Sequence, residues 1–149
     1  MHLPANVQCA VDPACLPWVP LGPGKAFKPL AFLRGDRGFV ELLRLDPGTH
    51  IPLHRHSGEV HAFNLRGSRR LDTGELIGPG GYVHEPAGNI DSWTVAGDEP
   101  LELLVVVMGV VEYLSADHQV SDRFDASRLD QCYRAWCAQA GVSAVDRWC

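Results

Sequence analysis

Residues 48–67 read GTHIPLHRHSGEVHAFNLRG and contain a His-x-His pair, His54 and His56. Five of the seven histidines in the chain fall between positions 50 and 84, so this part of the sequence is the first place to look for chemistry. On a β-strand, residues two apart project from the same face, about 7 Å apart along the chain. The two imidazoles can therefore bind one metal ion.

The turn at Ser57 and Gly58 predicts a second strand that returns beside the first. That hairpin would bring Glu59, Val60 and His61 opposite the histidine pair. Whichever of these residues points inward can supply a third group to the same centre.

The composition of the chain indicates what class of protein carries this motif. The chain has 149 residues, 46% apolar and 21% charged, which predicts one globular domain. A net charge of -5 with scattered basic residues argues against nucleic acid as a partner. The longest apolar run, 103–111, is too short to span a bilayer, and the N-terminus does not resemble a secretion signal. We therefore expect no membrane partner and a cytoplasmic location.

The pattern along the chain predicts three parts. Residues 1–24 are rich in proline and predict an extended arm. Residues 25–119 predict an all-β sandwich or barrel, because turn residues separate nine short runs, at 27–33, 39–45, 49–56, 59–66, 75–77, 82–85, 91–96, 101–108 and 110–114. Residues 120–149 predict a short helical tail, with Ser127 and Asp130 as a capping pair, Gly141 as its end and a second short turn at 143–148.

The five cysteines lie near the two ends of the chain, and none forms a CxxC pair. Such an odd, dispersed set favours reduced thiols over a metal site. A disulfide joining the two ends is the alternative.

A second block of residues lies downstream of the histidine pair, with Gly80, Pro86, Gly88 and Asp91 spaced as glycine, five residues, Pro-x-Gly, two residues and a polar residue. With residues 48–67 it resembles the two sequence motifs of the cupin family, in the right order and separation. The resemblance implies a single-domain cupin jelly-roll barrel.

Within the cupins, the stretches HRHSGEVH and GGYVHEPAG are similar to the branch that includes 2,4'-dihydroxyacetophenone dioxygenase and the acetylacetone-cleaving dioxygenase. Those enzymes use non-haem iron(II) held by three histidines, and cleave a C–C bond next to a carbonyl group. The resemblance implies His54 and His56 as metal ligands and places Asp91 where that branch has its third histidine. It implies Fe(II) as the metal, with Zn, Ni or Mn as the other candidates.

Two assignments of the third ligand remain open. Two histidines and one carboxylate form a well-known iron(II) arrangement, so Asp91 can be the third ligand. The resemblance favours Asp91, because it follows the Pro-x-Gly turn at the spacing where cupins place a ligand. Alternatively His61 turns inward and Asp91 orients an imidazole from behind, because Phe63 and Leu65 share the parity of His61 along their strand.

Other polar side chains are candidates for substrate contacts. Glu85 within a barrel strand is costly unless it lies near the metal or pairs with an arginine such as Arg69 or Arg70. Glu85 and His61 are the candidate proton carriers, whereas His84 should face outward. The expected pocket wall consists of Phe63, Arg69 and Trp93.

Three functions compete. The first is a metal-dependent dioxygenase acting on a small β-diketone or hydroxyaryl ketone. The second is an isomerase, cyclase or lyase of the same fold that uses the metal as a Lewis acid, and the third is a metal-binding regulatory cupin. A homodimer is expected, because the arm and a tail bearing Tyr133, Trp136 and Trp148 would expose apolar surface on a lone barrel.

Overall fold

A computed structural model describes residues 9–149, which form two antiparallel six-stranded sheets and one long helix. The strands are β1 (Val19–Pro20), β2 (Lys25–Leu33), β3 (Gly38–Leu45), β4 (His50–His56), β5 (Val60–Arg66), β6 (Ser68–Leu71), β7 (Leu76–Ile77), β8 (Tyr82–Glu85), β9 (Ile90–Ala96), β10 (Leu101–Met108), β11 (Val111–Leu114) and β12 (Val120–Phe124), and the helix is α1 (Ala126–Ala140). Single 3-10 turns lie at Pro13–Cys15 and Arg34–Asp36. The prediction of an all-β jelly roll is confirmed. No helix in the described range is long and apolar enough to cross a membrane.

The first sheet has the order β1-β2-β3-β10-β5-β8 and the second has the order β12-β11-β4-β9-β6-β7. β4 and β5 are joined by the turn at Ser57 and Gly58, yet they lie in different sheets, so the expected hairpin between them does not form. β5 pairs instead with β10 and β8. The chain crosses between layers at this turn, as a jelly roll requires.

The core lies between the two sheets and follows the period of two along each strand. In β10, Leu101, Leu103, Val105 and Val107 are buried and the alternate residues are only half-buried. This alternation puts one row of side chains from every central strand inside the barrel. The side chains that line the interior of the barrel therefore come from these inward-facing rows.

The two terminal segments of the described range, residues 9–149, pack on the barrel. Residues Val19 and Pro20 of the expected arm pair with β2, whereas residues 1–8 of that arm lie outside the described part of the chain. β12 extends the second sheet to Phe124, beyond the boundary expected at residue 119. Helix α1 buries Leu129, Tyr133 and Cys137 along one face.

The helix caps differ partly from the expectation. Asp125 is the N-cap and accepts a hydrogen bond from the backbone N–H of Arg128, and Gly141 ends the helix with a φ of 71°. Ser127 instead donates to Asp36. Residues 143–148 form no second helical turn, and Trp148 makes a parallel bridge with Phe32.

A disulfide joins Cys9 to Cys149, with the two Cα atoms 5.9 Å apart. The expectation of five reduced thiols is therefore wrong for this pair. Three cysteines remain free, at positions 15, 132 and 137.

Candidate metal centre

Four side chains with metal-ligating atoms meet between the sheets: His54, His56, Glu85 and Asp91. Their ligand atoms lie within 4.8 Å of one another, and all four residues are buried. We call this group the buried cluster. His54 and His56 come from β4, Asp91 from β9 and Glu85 from the end of β8.

Strand register explains how the cluster assembles. β4 and β9 are neighbours, and His54 is directly opposite Asp91 in that ladder. Glu85 faces them from the other sheet, at the last position of β8 opposite Val60. The side-chain amide of Asn89, in the turn between β8 and β9, donates a 2.8 Å hydrogen bond to Glu85 Oε1 and fixes that carboxyl group.

His54 is oriented by its own backbone. Its Nδ1 lies 2.8 Å from the carbonyl oxygen of Pro52, which can only accept a hydrogen bond, so Nδ1 carries a proton. Nε2 then faces Asp91 Oδ1 at 2.9 Å. Burial lowers the pKa of His54, but the hydrogen bonds to Asp91 and Pro52 and the negative charges of Asp91 and Glu85 outweigh it, and the pKa is raised. The Nε2 position thus favours a positive charge.

His56 has the opposite preference. Burial, and then the charge of His54, lower its pKa to about 4, so its imidazole is neutral near pH 7. Its Nε2 lies 3.7 Å from Glu85 Oε2, and its ring is perpendicular to that of His54 with centroids 4.9 Å apart. A neutral imidazole offers a lone pair, which is the form that binds metals.

The pKa values of the two carboxyl groups, Glu85 and Asp91, also shift in opposite directions. Burial, and then the charge of Asp91, raise the pKa of Glu85. Burial acts upward on Asp91 too, but its hydrogen bond to His54 and the charges of His54 and His56 prevail and lower the pKa of Asp91. Asp91 is therefore the ionised member of the pair.

The donor set fits a divalent cation. Two imidazoles and one or two carboxylates on one face suit iron, zinc, manganese or nickel. His56 Nδ1 is buried with no hydrogen-bond partner, and the buried Asp91 Oδ1 has none besides His54 Nε2. A cation held by His54 Nε2, His56 and Asp91 would compensate the negative charge that this group buries.

A pocket of about 80 Å³ opens beside the buried cluster, and most of its wall is apolar. Arg69 and Trp93 line it, with the guanidinium 4.7 Å from the indole centroid. Arg69 is almost fully buried, and its Nε and Nη2 have no partner. Burial lowers the pKa of Arg69, although Glu85 and Asp91 act against this.

His61 and Phe63 lie elsewhere, contrary to the expectation. His61 is on the outer face of β5, where its Nδ1 is 2.5 Å from the hydroxyl of Tyr82, and Phe63 is 41% exposed on the same face. The parity argument placed the wrong row of β5 inside, because Val60, Ala62 and Asn64 are the buried residues. The structure thus brings Asp91, and not His61, to the histidine pair.

His61 belongs to a second group on the outside of the barrel, formed with Glu59 and His84. We call this the outer cluster. His84 faces outward as expected, and its Nε2 is 2.9 Å from Glu59 Oε1.

The sequence reasoning missed Glu41, which points into the pocket from β3. The sequence does contain an indication of this role, because Glu41 occupies an inward position within the run Phe-Val-Glu-Leu-Leu. The argument that singled out Glu85, the cost of a carboxyl group inside a barrel strand, applies equally here.

A jelly-roll barrel with a buried His-x-His pair defines the chain as a cupin, and that resemblance is confirmed. The family model described as the ChrR cupin-like domain matches residues 6–112, so the chain belongs to this family. Among curated proteins, none matches the chain.

Solved structures share the fold at low sequence identity. An RmlC-like cupin protein from Ralstonia eutropha is 22% identical with a TM-score of 0.89, over 97% of this chain and 95% of that one. An acetylacetone dioxygenase from Acinetobacter johnsonii is 13% identical with a TM-score of 0.75, over 91% and 95%. The Rhodobacter sphaeroides complex of SigE with the anti-sigma ChrR is 21% identical with a TM-score of 0.55, over 63% and 49%. Function must therefore be argued from the site.

Proposed function

We propose that the protein is a non-haem metal-dependent dioxygenase, using Fe(II), that cleaves a C–C bond next to a carbonyl group in a small β-diketone or hydroxyaryl ketone. The observation that carries this proposal is the buried cluster, in which two imidazoles and an ionised carboxylate share one face beside an apolar pocket. His54, His56 and Asp91 would hold the metal. When bound, iron(II) supplies a centre for substrate oxygen atoms and for dioxygen.

Glu85 is the proton carrier in this proposal. Its carboxyl group lies among the ligands but has a raised pKa, because burial and the charge of Asp91 disfavour its ionised form. The raised pKa makes the Glu85 carboxylate a stronger base, and in that ionised form it accepts the proton that leaves the carbon between the oxygen functions when the substrate enolises. The protonated carboxyl group then holds this proton beside the product. The hydrogen bond from Asn89 keeps one carboxyl oxygen in position. His61 lies outside the barrel and takes no part.

Arg69 binds the charge that this step creates. The enolate is an anion, and the unpartnered Nε and Nη2 of Arg69 are two parallel donors on one edge of the guanidinium. Stacking on Trp93 fixes the plane of the group. The apolar wall excludes water and strengthens the attraction.

The test is oxygen consumption. Protein purified without oxygen is loaded with Fe(II), and oxygen uptake is followed with a panel of β-diketones and hydroxyaryl ketones. We expect uptake coupled to loss of substrate, reduced at least tenfold in Glu85→Gln and unchanged in the outer-face control His61→Ala. Iron-loaded protein that consumes no oxygen with any member of the panel would refute the dioxygenase.

A Lewis-acid enzyme is the second candidate, because the cluster contains a second oxygen donor in Glu85, and oxygen donors suit metals without redox chemistry. The polyketide cyclase RemF of Streptomyces resistomycificus shares the fold, at 19% identity over 80% of this chain and 85% of that one, with a TM-score of 0.58. Conversion of substrate by the zinc-loaded protein without oxygen uptake would favour this candidate.

A further inference from the structure

A second pocket, of about 320 Å³, adjoins the pocket beside the buried cluster. Five residues line both pockets, so their side chains form the wall between the two: Leu21, Lys25, Ile51, Tyr113 and Phe124. Three of these side chains are apolar. The polar groups of the wall are the ammonium group of Lys25 and the hydroxyl group of Tyr113, and the proposed reaction uses neither.

Lys25 and Tyr113 meet across the two sheets. Lys25 is the first residue of β2 in the first sheet, and Tyr113 lies on β11 in the second. Lys25 Nζ donates a 3.0 Å hydrogen bond to the Tyr113 hydroxyl oxygen and lies 5.6 Å from the centroid of its ring. Tyr113 is directly opposite His54 in the ladder of β11 and β4, with the ring centroids 5.8 Å apart. The pair therefore borders the buried cluster.

Both groups keep hydrogen atoms for a ligand. An ammonium group has three donors, and Lys25 uses one of them on Tyr113. The Tyr113 oxygen accepts that bond, and its own O–H makes no hydrogen bond within residues 9–149. Two donor groups 3.0 Å apart, one of them charged, suit the two oxygen atoms of a carboxylate.

Neighbouring acids leave the charge of Lys25 without a close partner. No ion pair among residues 9–149 involves Lys25. Glu41 lines the inner pocket, but burial raises its pKa to about 7 against the charge of Lys25, so Glu41 is mostly protonated below that pH. Asp122 lines the second pocket, but its carboxylate is paired with Arg128. An anion that enters here meets a positive charge that neither acid neutralises.

We propose that Lys25 and Tyr113 bind a carboxylate group of the substrate. This inference rests on the proposed function and adds to it, because the substrate is then a keto acid and not a neutral ketone. Its carbonyl groups lie at the buried cluster, and its carboxylate lies at the wall between the two pockets. The short distance between the rings of His54 and Tyr113 allows only a few bonds between these groups.

The experiment compares two β-diketones, 4,6-dioxoheptanoate and 2,4-heptanedione, which differ only in a terminal carboxylate in place of a methyl group. Binding to the metal-loaded protein is measured at pH 6.5 under nitrogen by isothermal titration calorimetry. We expect the carboxylate probe to bind to the wild type about tenfold more tightly or better, the size of one hydrogen bond between charged groups.

Variants assign this preference to its donors. In Lys25→Met the two dissociation constants should become nearly equal, and Tyr113→Phe should keep part of the preference, because the charge of Lys25 remains. Lys28→Met is the matched control, since Lys28 lies on the same strand, lines neither pocket and donates to the carbonyl oxygen of Pro13. It removes the same charge and should leave the ratio of the two dissociation constants unchanged.

The ratio isolates this role, because a purely structural effect of Lys25 would change the affinity for both probes alike. Equal affinities in the wild type would overturn the proposal. The wild-type ratio retained in Lys25→Met would overturn it too, and would show that the carboxylate binds the metal instead. If a diketone drives oxygen uptake alongside either result, only the carboxylate site fails. If neither probe binds and no ketone drives oxygen uptake, the proposed function fails with it.

Discussion

The buried and outer clusters use the same residue types, and differ in whether their side chains face the interior of the barrel or the solvent. Glu85 and His84 are adjacent in β8, yet Glu85 joins the buried cluster and His84 the outer one. Inside, the side chains of His54 and Asp91 are 4% and 10% exposed, whereas those of His84 and Glu59 are 42% and 58% exposed. Both groups contain a His–carboxylate pair at 2.9 Å.

The difference shows that solvent access, more than donor identity, decides what such a group does. Water solvates the charges of the outer cluster, so the pair there gains little from any further partner. In the buried cluster water cannot do so, and the pKa values of four neighbouring residues move apart in response. A cation is the partner that an enclosed set of imidazole and carboxylate donors selects.

The largest expected effect follows from removing histidines on one face at a time. His54→Ala with His56→Ala should abolish high-affinity metal binding, because both imidazole ligands are lost. The matched double variant His61→Ala with His84→Ala should keep one metal per chain. Bound metal is counted by elemental analysis after dialysis, and circular dichroism checks that both variants fold.

Single variants test whether Asp91 or His61 is the third metal ligand. We expect Asp91→Ala to lower metal affinity more than a hundredfold and His61→Ala to leave it unchanged. The opposite pattern, with loss in His61→Ala and full retention in Asp91→Ala, would contradict the assignment of the buried cluster.

The second effect is a pH dependence that only inward-facing acids should produce. The pKa of Glu41 is about 7 in the folded protein and 4.5 in the unfolded chain. Below about pH 4.5 both states hold the proton and stability is complete, and stability then falls as the pH rises through about 7. The total loss is about 3 kcal/mol.

Glu41→Leu should remove this loss, so that its gain in unfolding free energy over the wild type grows by about 3 kcal/mol between pH 4.5 and 8. Urea unfolding of the wild type and of Glu41→Leu at several pH values measures the difference. A wild-type pH profile retained in Glu41→Leu would show that this carboxyl group is not the source.

The smallest effect concerns the outer face, where we propose that two copies of the chain pair. The aromatic tail does not support the dimer as expected, since Tyr133 is buried and Trp148 packs on Phe32 of its own barrel. The outer face of β5 and β8 instead exposes Phe63, Leu65 and Tyr82, by 41%, 48% and 56%. Such an apolar patch suits a two-fold interface.

Leu65→Ala should therefore weaken the dimer roughly tenfold, or about 1.5 kcal/mol, and leave metal content intact. Light scattering over a range of concentrations measures the mass. A wild-type protein that is monomeric at micromolar concentration would rule out this interface. Variants of the buried cluster should do the opposite of Leu65→Ala, and change the metal content without changing the mass of the dimer.

The sequence was sufficient for the fold and for the members of the His-x-His pair. Period-two spacing places His54 and His56 on one face whichever strand lies beside them, and the turn residues separated most strands. The sequence does not predict β6, because Arg69 and Arg70 interrupt the alternation of apolar and polar residues that indicates a strand. Arg69 is nevertheless one of the most buried residues. β12 was missed because four of its five residues are exposed and show no alternation.

The facing of His61 could not be predicted from its own strand. The apolar character of Phe63 and Leu65 favours an inward position, but both lie outside, and Asn64 is the fully buried residue between them. The side-chain amide of Asn64 donates there to the carbonyl of Ile77, a partner 13 residues away. Which row faces inward depended on the crossing of β5 to the other sheet, and such long-range pairing leaves no local signal.

The Cys9–Cys149 bond makes residues 9 to 149 a closed covalent ring. Closing a loop of 140 residues restricts the unfolded chain by about 5 kcal/mol in the entropic model, on the scale of a small domain's whole stability. Where thiols are kept reduced, the ring opens and this contribution is lost. The redox potential of the surroundings thereby becomes a determinant of how stable the folded barrel is.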